Sequence, residues 1–440
     1  MKEYVNYILG IAAGRKVQCE VFAEDTAGVE IEVHRGSTES LERYRDRGVG
    51  IRLFKNGKPG YAFSSELSEQ ALESAFEEAV GSAEVSSPAD TPVLADYFPL
   101  DVEPEPGEPD RIDTGEMIER VVSMEEEAFA SSSEVVNTRN AGYSQSRTII
   151  TVGSTAGFVR EESRGYCSSF ISAIAKRGDE IRTGAFWHQA KKPEGVDFTF
   201  TGRSAAARAV GLLGARKIPG GRLPVLFDSY AFIDMLGFLE DILSADMVSK
   251  GMSCLAGRLG EKVAAEFVTV VDDPGLESGC GNSLFDDEGV PRRRIELISG
   301  GTLKDYFHTA ATARKLGTGR PGNAVRSSFK TVPGPGGSNF YIKPSGTGRK
   351  DILAGIDRGV LIQNIMGIHT ADTISGDFSL GFNGHYIRSG KRDHPLCEMT
   401  VAGTLLELLA GISAIADDLI FIGETGSPAV LVTGLSVSGE

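Results

Sequence analysis

The chain has 440 residues, a formal net charge of −16, 41% hydrophobic and 24% charged residues, and 54 glycines. That length exceeds one ordinary core and predicts two or three domains. A surface this acidic repels phosphates, which argues against nucleic acid as a partner, and so many glycines point to many tight turns between short strands.

The first segment, "MKEYVNYILGIAAGRK", places Val5, Ile8, Leu9 and Ala12 on one helical face. It is too short and too interrupted for a signal peptide or a membrane span, and no later stretch is apolar for long enough. Cys19, Cys167, Cys254, Cys280 and Cys397 contain no CxxC pair and are odd in number. Together these features predict a reduced cytoplasmic protein without membrane attachment.

Four alternating runs follow the helix: "QCEVFAED", "GVEIEVHRG", "SLERYRDRG" and "VGIRLFKNGKPGYAFS". They read as an antiparallel meander with Asn56-Gly57 as a hairpin turn. A helix over about 68–80 closes this first unit, residues 1–84. Residues 85–110 carry six of the 18 prolines and read as an extended connector. The order then recurs over 111–216: a helix at about 114–130, strand-like runs to Ala190, and a helix at about 202–214. "RGYCSSFISAIAKRGDEIRTGAFW" echoes "RGVGIRLFKNGKPGYAF", so the N-terminal half reads as a duplicated helix–antiparallel meander–helix unit. From about 222 to 440 the chain reads as a β-rich C-terminal domain, with helices expected at about 230–245 and 400–416. The predicted class is α+β.

Metal and nucleophile motifs are tested next. Zinc enzymes commonly place two histidines one helical turn apart. The six here, His34, His188, His308, His369, His385 and His394, are never within five residues of one another. The weak alternative is a site assembled from His369, His385, His394 and Cys397, against the ordinary reading of a turn beside a buried thiol. "VVDDPGLESGCGNSLFDDEGVPRRR", Val270 to Arg294, lacks the register of a calcium loop, and Asp286-Asp287-Glu288-Gly289 reads as a solvated turn neutralised by Arg292 to Arg294. A G-x-S-x-G elbow and a phosphate loop are both absent. Spacing alone therefore identifies no catalytic residue.

Longer motifs do carry a resemblance. "KGMSCLAGRLGEKVAAEFVTVVDDP", "FDDEGVPRRRIELISGGTLKDYFHTAATARKLG", "GNAVRSSF", "SGDFSLGFNGHYIRSGK" and "EMTVAGTLLELLAGISAIADDL" closely resemble the TldD/PmbA family, also called modulators of DNA gyrase or microcin-maturation proteases. The resemblance is strong over about 223–440 and weaker before it. It implies two subunit types. The TldD type is a metallopeptidase with an H-E-x-x-x-H helix and a downstream cysteine. The window expected to hold that helix, Asp228 to Lys250, contains no histidine, and a gapless match puts Phe382 where the cysteine belongs. The chain therefore resembles the PmbA (TldE) type, which lacks the metal site.

The resemblance implies a non-catalytic subunit of a TldD–TldE-type complex that degrades or processes unfolded peptides, inactive alone. It holds no cofactor itself, with zinc expected in a TldD-type partner, and forms a homodimer when alone. Candidate peptide or interface residues are Asn323, Arg326, Gly336, Gly337 and Asn383. The glycines would admit an extended peptide by strand addition, with ordinary turns as the rival reading. Arg326 reads equally as a polar anchor or a core salt bridge. The alternative functions are a self-sufficient metallopeptidase with a rearranged metal site and a regulatory binding protein acting on DNA gyrase.

Overall fold

The computed structural model describes residues 1–91, 93–100 and 113–439. Its N-terminal half contains two copies of one unit. The first is α1 (Lys2–Arg15), β1 (Gln18–His34), β2 (Ser37–Lys55), β3 (Lys58–Ser64) and α2 (Glu69–Val85). The second is α3 (Thr114–Ser131), β4 (Val135–Ser154), β5 (Phe158–Arg177), β6 (Glu180–Ala190) and α4 (Phe198–Val210). The two meanders fuse into one six-stranded sheet, β3-β2-β1-β4-β5-β6. The first strand of each unit meets the other antiparallel at the centre, from Glu20 opposite Ser154 to Val33 opposite Ala141. Strand order therefore reads the same outward from either side of that ladder.

The four runs of the first unit are three strands, because β1 and β2 are 17 and 19 residues long. Gly28 interrupts the sequence pattern but not the strand. A Cβ there would lie 2.5 Å from the Tyr44 ring, so glycine lets two strands pass a crossing aromatic. The turns are at Arg35-Gly36 (φ 51°, 72°) and Asn56-Gly57 (φ 54°, 75°), the doubly left-handed pair that matches strand twist in a two-residue hairpin.

Alternation along β1 separates two layers. Cys19, Val21 and Ala23 face Val5, Ile8 and Ala12 of α1 and Leu72 and Phe76 of α2. Further along, Val29, Ile31 and Val33 face Val121 and Met124 of α3 and Ala205 of α4. All four helices thus cover one face of the sheet. Glu20, Phe22 and Glu24 point to the opposite face, where the C-terminal region docks.

That region is rich in sheet, consistent with the α+β expectation. β7 (Gly221–Phe227) runs parallel to Arg358–Met366 and antiparallel to Val430–Ser438. The hairpin Asp377–Arg388/Lys391–Thr404 flanks Arg358–Met366, and its second strand also pairs with Val430–Ser438, closing a five-stranded ring. A second, mixed sheet contains Val270–Asp272, Ile295–Ser299, Phe340–Ile342 and Thr425–Ser427. Helix α5 (Ser229–Ile242) lies between them, burying Phe232, Met235, Leu236 and Leu239 against Phe227, Val270, Phe340, Val360 and Phe382.

Two boundaries differ from expectation. Of 400–416 only Leu405–Ala410 is helical. Thr400 and Val401 pair with Ser438 and Val437, and a capping box between Thr404 and Glu407 starts the helix where the strand ends. Helix α4 begins at Phe198 because the Asp197 carboxylate caps it, accepting from the Phe200 amide at 2.8 Å. The described part of the connector packs rather than floats, with Ala95 and Phe98 against Val290 and Ala310; residues 101–110 lie outside the described residues.

Candidate functional site

The acidic stretch is not a solvated turn. Asp286, Asp287 and Glu288 are buried, and the arginines that neutralise Asp287 and Glu288 come from the N-terminal sheet rather than from Arg292 to Arg294. Glu288 pairs with Arg52 of β2 at 2.7 Å and accepts from the Ala310 amide. Asp287 pairs with Arg164 of β5 and accepts from the Arg326 amide at 2.7 Å. Asp286 accepts from the Val290 and Ala324 amides; burial, with Glu288 adding to it, pushes its pKa up. Gly289 lies against Phe158, where a Cβ would come within 2.4 Å. The turn is a plug that docks the C-terminal region onto the sheet.

Four of the sequence-derived candidates lie beside this plug. Arg326 is buried, donating to Glu20 at 2.6 Å and to the Thr331 carbonyl, with its guanidinium 5.0 Å over the Phe22 ring. It is a salt bridge between the two halves of the chain. Asn323 is buried, and its carbonyl accepts from the Gly336 amide at 2.8 Å. The Gly337 amide donates to Glu240 at 2.8 Å. Both glycine amides are thus engaged within the chain. In the Gly381–Gly384 run, a Cβ at Gly384 would meet the Leu361 carbonyl at 1.8 Å, so the approaching backbone there is the neighbouring strand.

Asn383 stands apart from them, in a cleft between β6 and α4 on one side and α5 with the five-stranded ring on the other. The cleft has two adjoining cavities, of about 470 and 520 Å3, that share Trp187, Arg208 and Tyr230. Asn383, Gln363 and Asp234 line the first. Asp228, Arg349, Arg392, Asp418 and Phe421 line the second. The walls are tied together at the rim: Tyr230 donates to the Trp187 carbonyl at 2.7 Å, and the Gln189 amide exchanges hydrogen bonds with the Gly423 backbone. Asp228 caps α5 through the Tyr230 amide and receives both Arg208 (3.2 Å) and Arg349 (3.0 Å). The Arg208 guanidinium also lies 4.8 Å over the Tyr230 ring. Sequence reasoning singled out none of these charged residues. Asp228, capping a helix directly after an apolar strand, carried the one available signal.

The residues present do not fit a zinc ion. α5 turns Tyr230, Ala231 and Asp234 toward the cleft and apolar side chains to the core. Asp234 is a lone carboxylate that burial pushes up to about 6, and zinc sites require several converging donors, mostly nitrogen or sulfur. Phe382, at the position matched to the family's cysteine, is fully buried in the core. The alternative set does not assemble either. His385 packs at Gly211, His394 contacts Asp393 at 2.9 Å, His369 is exposed in the turn Ile368–Thr370, and Cys397 is buried with its thiol pKa raised by burial. Among the described residues no group of three or more His, Cys, Asp or Glu side chains could hold a metal ion. No helix among them is long and apolar enough to cross a membrane.

Comparison with known proteins places this architecture. Models described as PmbA/TldA metallopeptidase domain 1, central domain and C-terminal domain match residues 19–83, 107–213 and 220–439. The chain is 25% identical to Metalloprotease PmbA of Escherichia coli O157:H7, over all of this chain and 96% of that protein. It is 26% identical to a Metalloprotease TldD homolog of Haemophilus influenzae over 84% of this chain and 80% of the other. A crystal structure of a proposed modulator of a DNA gyrase from Thermotoga maritima superposes with a TM-score of 0.87 at 27% identity, covering 99% of both chains. TldE from Thermococcus kodakarensis shares the fold, with a TM-score of 0.90 at 20% identity over 99% of this chain and all of the other. With models matched along nearly its whole length, the chain belongs to the PmbA/TldD metallopeptidase family.

Proposed function

We propose that this chain is the non-catalytic, TldE-like subunit of a TldD–TldE-type peptidase complex acting on unfolded peptides. One observation carries the reading: α5 walls an open cleft with Tyr230, Ala231 and Asp234, where a zinc peptidase needs metal-binding side chains. Peptide hydrolysis by zinc depends on the metal to polarise the carbonyl and activate water. This chain offers a cleft of peptide-binding size without the donors for that step. Its contribution is then positional. It holds extended substrate and completes the cavity in which a TldD-type partner's zinc acts, and positioning alone supplies several kcal/mol against a barrier.

The test is cleavage of an unfolded protein by each chain alone and by the mixture, with and without chelator. The proposal requires chelator-sensitive cleavage by the mixture and none by this chain. Alone, the chain is expected to pair with itself through the face its partner would cover, which light scattering reads as twice the monomer mass. A gyrase-regulating role, as proposed for the Thermotoga maritima relative, instead requires that added chain alter supercoiling in the absence of any peptidase.

A further inference from the structure

The larger cavity of the cleft contains an arginine without a counter-charge. Three guanidiniums, of Arg208, Arg349 and Arg392, line it together with two carboxylates, of Asp228 and Asp418. Both carboxylates are already shared. Asp228 receives Arg208 and Arg349 and accepts from the Tyr230 amide. Asp418 receives Arg349 at 3.5 Å, the Ser229 hydroxyl at 3.2 Å and the Ala429 amide at 2.9 Å. The Arg392 side chain makes no hydrogen bond and no ion pair with any described residue. Its neighbour in sequence, Asp393, turns away to Arg388 and His394. Arg392 is exposed at the mouth of the cavity, and partial desolvation there, then Arg349 and Arg208, lower its pKa against the opposing pull of Asp228. His188, also on the wall, is held toward its neutral form by burial. The cavity is thus one positive charge in excess. Phe186, Phe200, Tyr230 and Phe421 add aromatic surface to the lining, beside the polar Gln189, Ser204 and Ser278.

We infer that this cavity binds the C-terminal carboxylate of a peptide whose last side chain is apolar, with Arg392 as the anion's partner and the aromatic residues around the side chain. The charge excess matches a monoanion, and guanidinium geometry suits a carboxylate. The volume of about 520 Å3 falls within the range of sites that enclose small ligands. Across Trp187, Arg208 and Tyr230 the site continues into the second cavity with its polar Gln363 and Asn383, so a peptide anchored by its end would run along the cleft. This inference rests on the peptide-holding role proposed above and deepens it by naming which end of the substrate is held.

Trp187 is the chain's single tryptophan and lines both cavities, so its emission reports occupancy directly. The experiment titrates the full chain, without partner or metal, with an N-acetylated tetrapeptide ending in phenylalanine, as the free acid and as the C-terminal amide. The free acid is expected to shift Trp187 emission and bind about tenfold or more tighter than the amide, as a charge-assisted hydrogen bond implies. Arg392→Gln should remove that preference while leaving amide binding in place, and Arg392→Lys should recover part of it. Circular dichroism of each variant controls for folding. Equal binding of acid and amide, an undiminished preference in Arg392→Gln, or displacement of the acid by inorganic phosphate but not by acetate would each overturn the inference. Failure of the subunit reading shows elsewhere, as chelator-sensitive cleavage by this chain alone, which no partner-free binding titration measures.

Discussion

Glu20 and Arg326, 306 residues apart in sequence, meet at 2.6 Å with both side chains almost fully buried. Arg52 joins the same carboxylate at 2.7 Å and reaches on to Glu288, so one chain of charges crosses the boundary between the N-terminal sheet and the C-terminal region. Removing one partner from such a set leaves a charge buried with too few counter-charges. Arg326→Ala should therefore lower unfolding free energy by about 3–5 kcal/mol. Breaking the exposed pair Lys250–Asp246 by Lys250→Ala should cost under about 1 kcal/mol. Urea denaturation of both variants checks the contrast.

Glycines of the two Gly-rich runs, Gly334–Asn339 and Gly381–Gly384, should separate by the same measurement. Gly384→Ala drives a Cβ into the Leu361 carbonyl and should destabilise the chain by about 2 kcal/mol or more. Gly334→Ala meets nothing within 4 Å at an ordinary φ and should stay within about 0.5 kcal/mol of the parent. Equal effects at the two positions would remove the packing explanation.

Stability should fall as pH rises above the ordinary glutamate range. Glu240 and Glu424 are each raised from 4.5 to about 7, by burial first; repulsion from nearby carboxylates adds to it, while Arg292 and Arg164 act against it at Glu424. A carboxyl whose folded pKa is raised favours the folded state fully at low pH, and that contribution is lost as pH climbs from 4.5 toward 7. Each group adds a slope of at most about 1.4 kcal/mol per pH unit in that window. Glu240→Gln should flatten the dependence of melting temperature on pH between 5 and 7.

Metal should matter little to this chain by itself. With Tyr230, Ala231 and Asp234 on the cleft face of α5, purified protein should carry substoichiometric zinc by elemental analysis, and chelator should leave its melting temperature unchanged. One zinc per chain, lost together with thermal stability, would contradict the reading of the site.

How much of this was legible in the sequence differs between local and assembled features. α5 was, because Phe232, Met235, Leu236 and Leu239 repeat at helical spacing and bury as that spacing implies. So was the repeated unit, because each copy keeps the same order of periodicities. Strand lengths were not: Gly28 and Gly48 look like turn residues in sequence, yet they stand where Tyr44 and Phe329 cross the sheet. The acidic turn was misread for a related reason. Asp286-Asp287-Glu288-Gly289 has the composition of a solvated turn, and what buries it, Arg52, Arg164 and the Arg326 amide, comes from distant parts of the chain. The cleft was least legible. Arg208, Arg349 and Arg392 come from three separate segments, and nothing local marks any of them.

The central claim is that this chain holds substrate while another supplies the zinc. Casein-fragment cleavage by this chain, by a TldD-type partner and by the equimolar mixture, each with and without chelator, tests it most directly. The account predicts cleavage by the mixture alone, abolished by chelator. Chelator-sensitive cleavage by this chain without partner, or full activity of the partner without this chain, would contradict it.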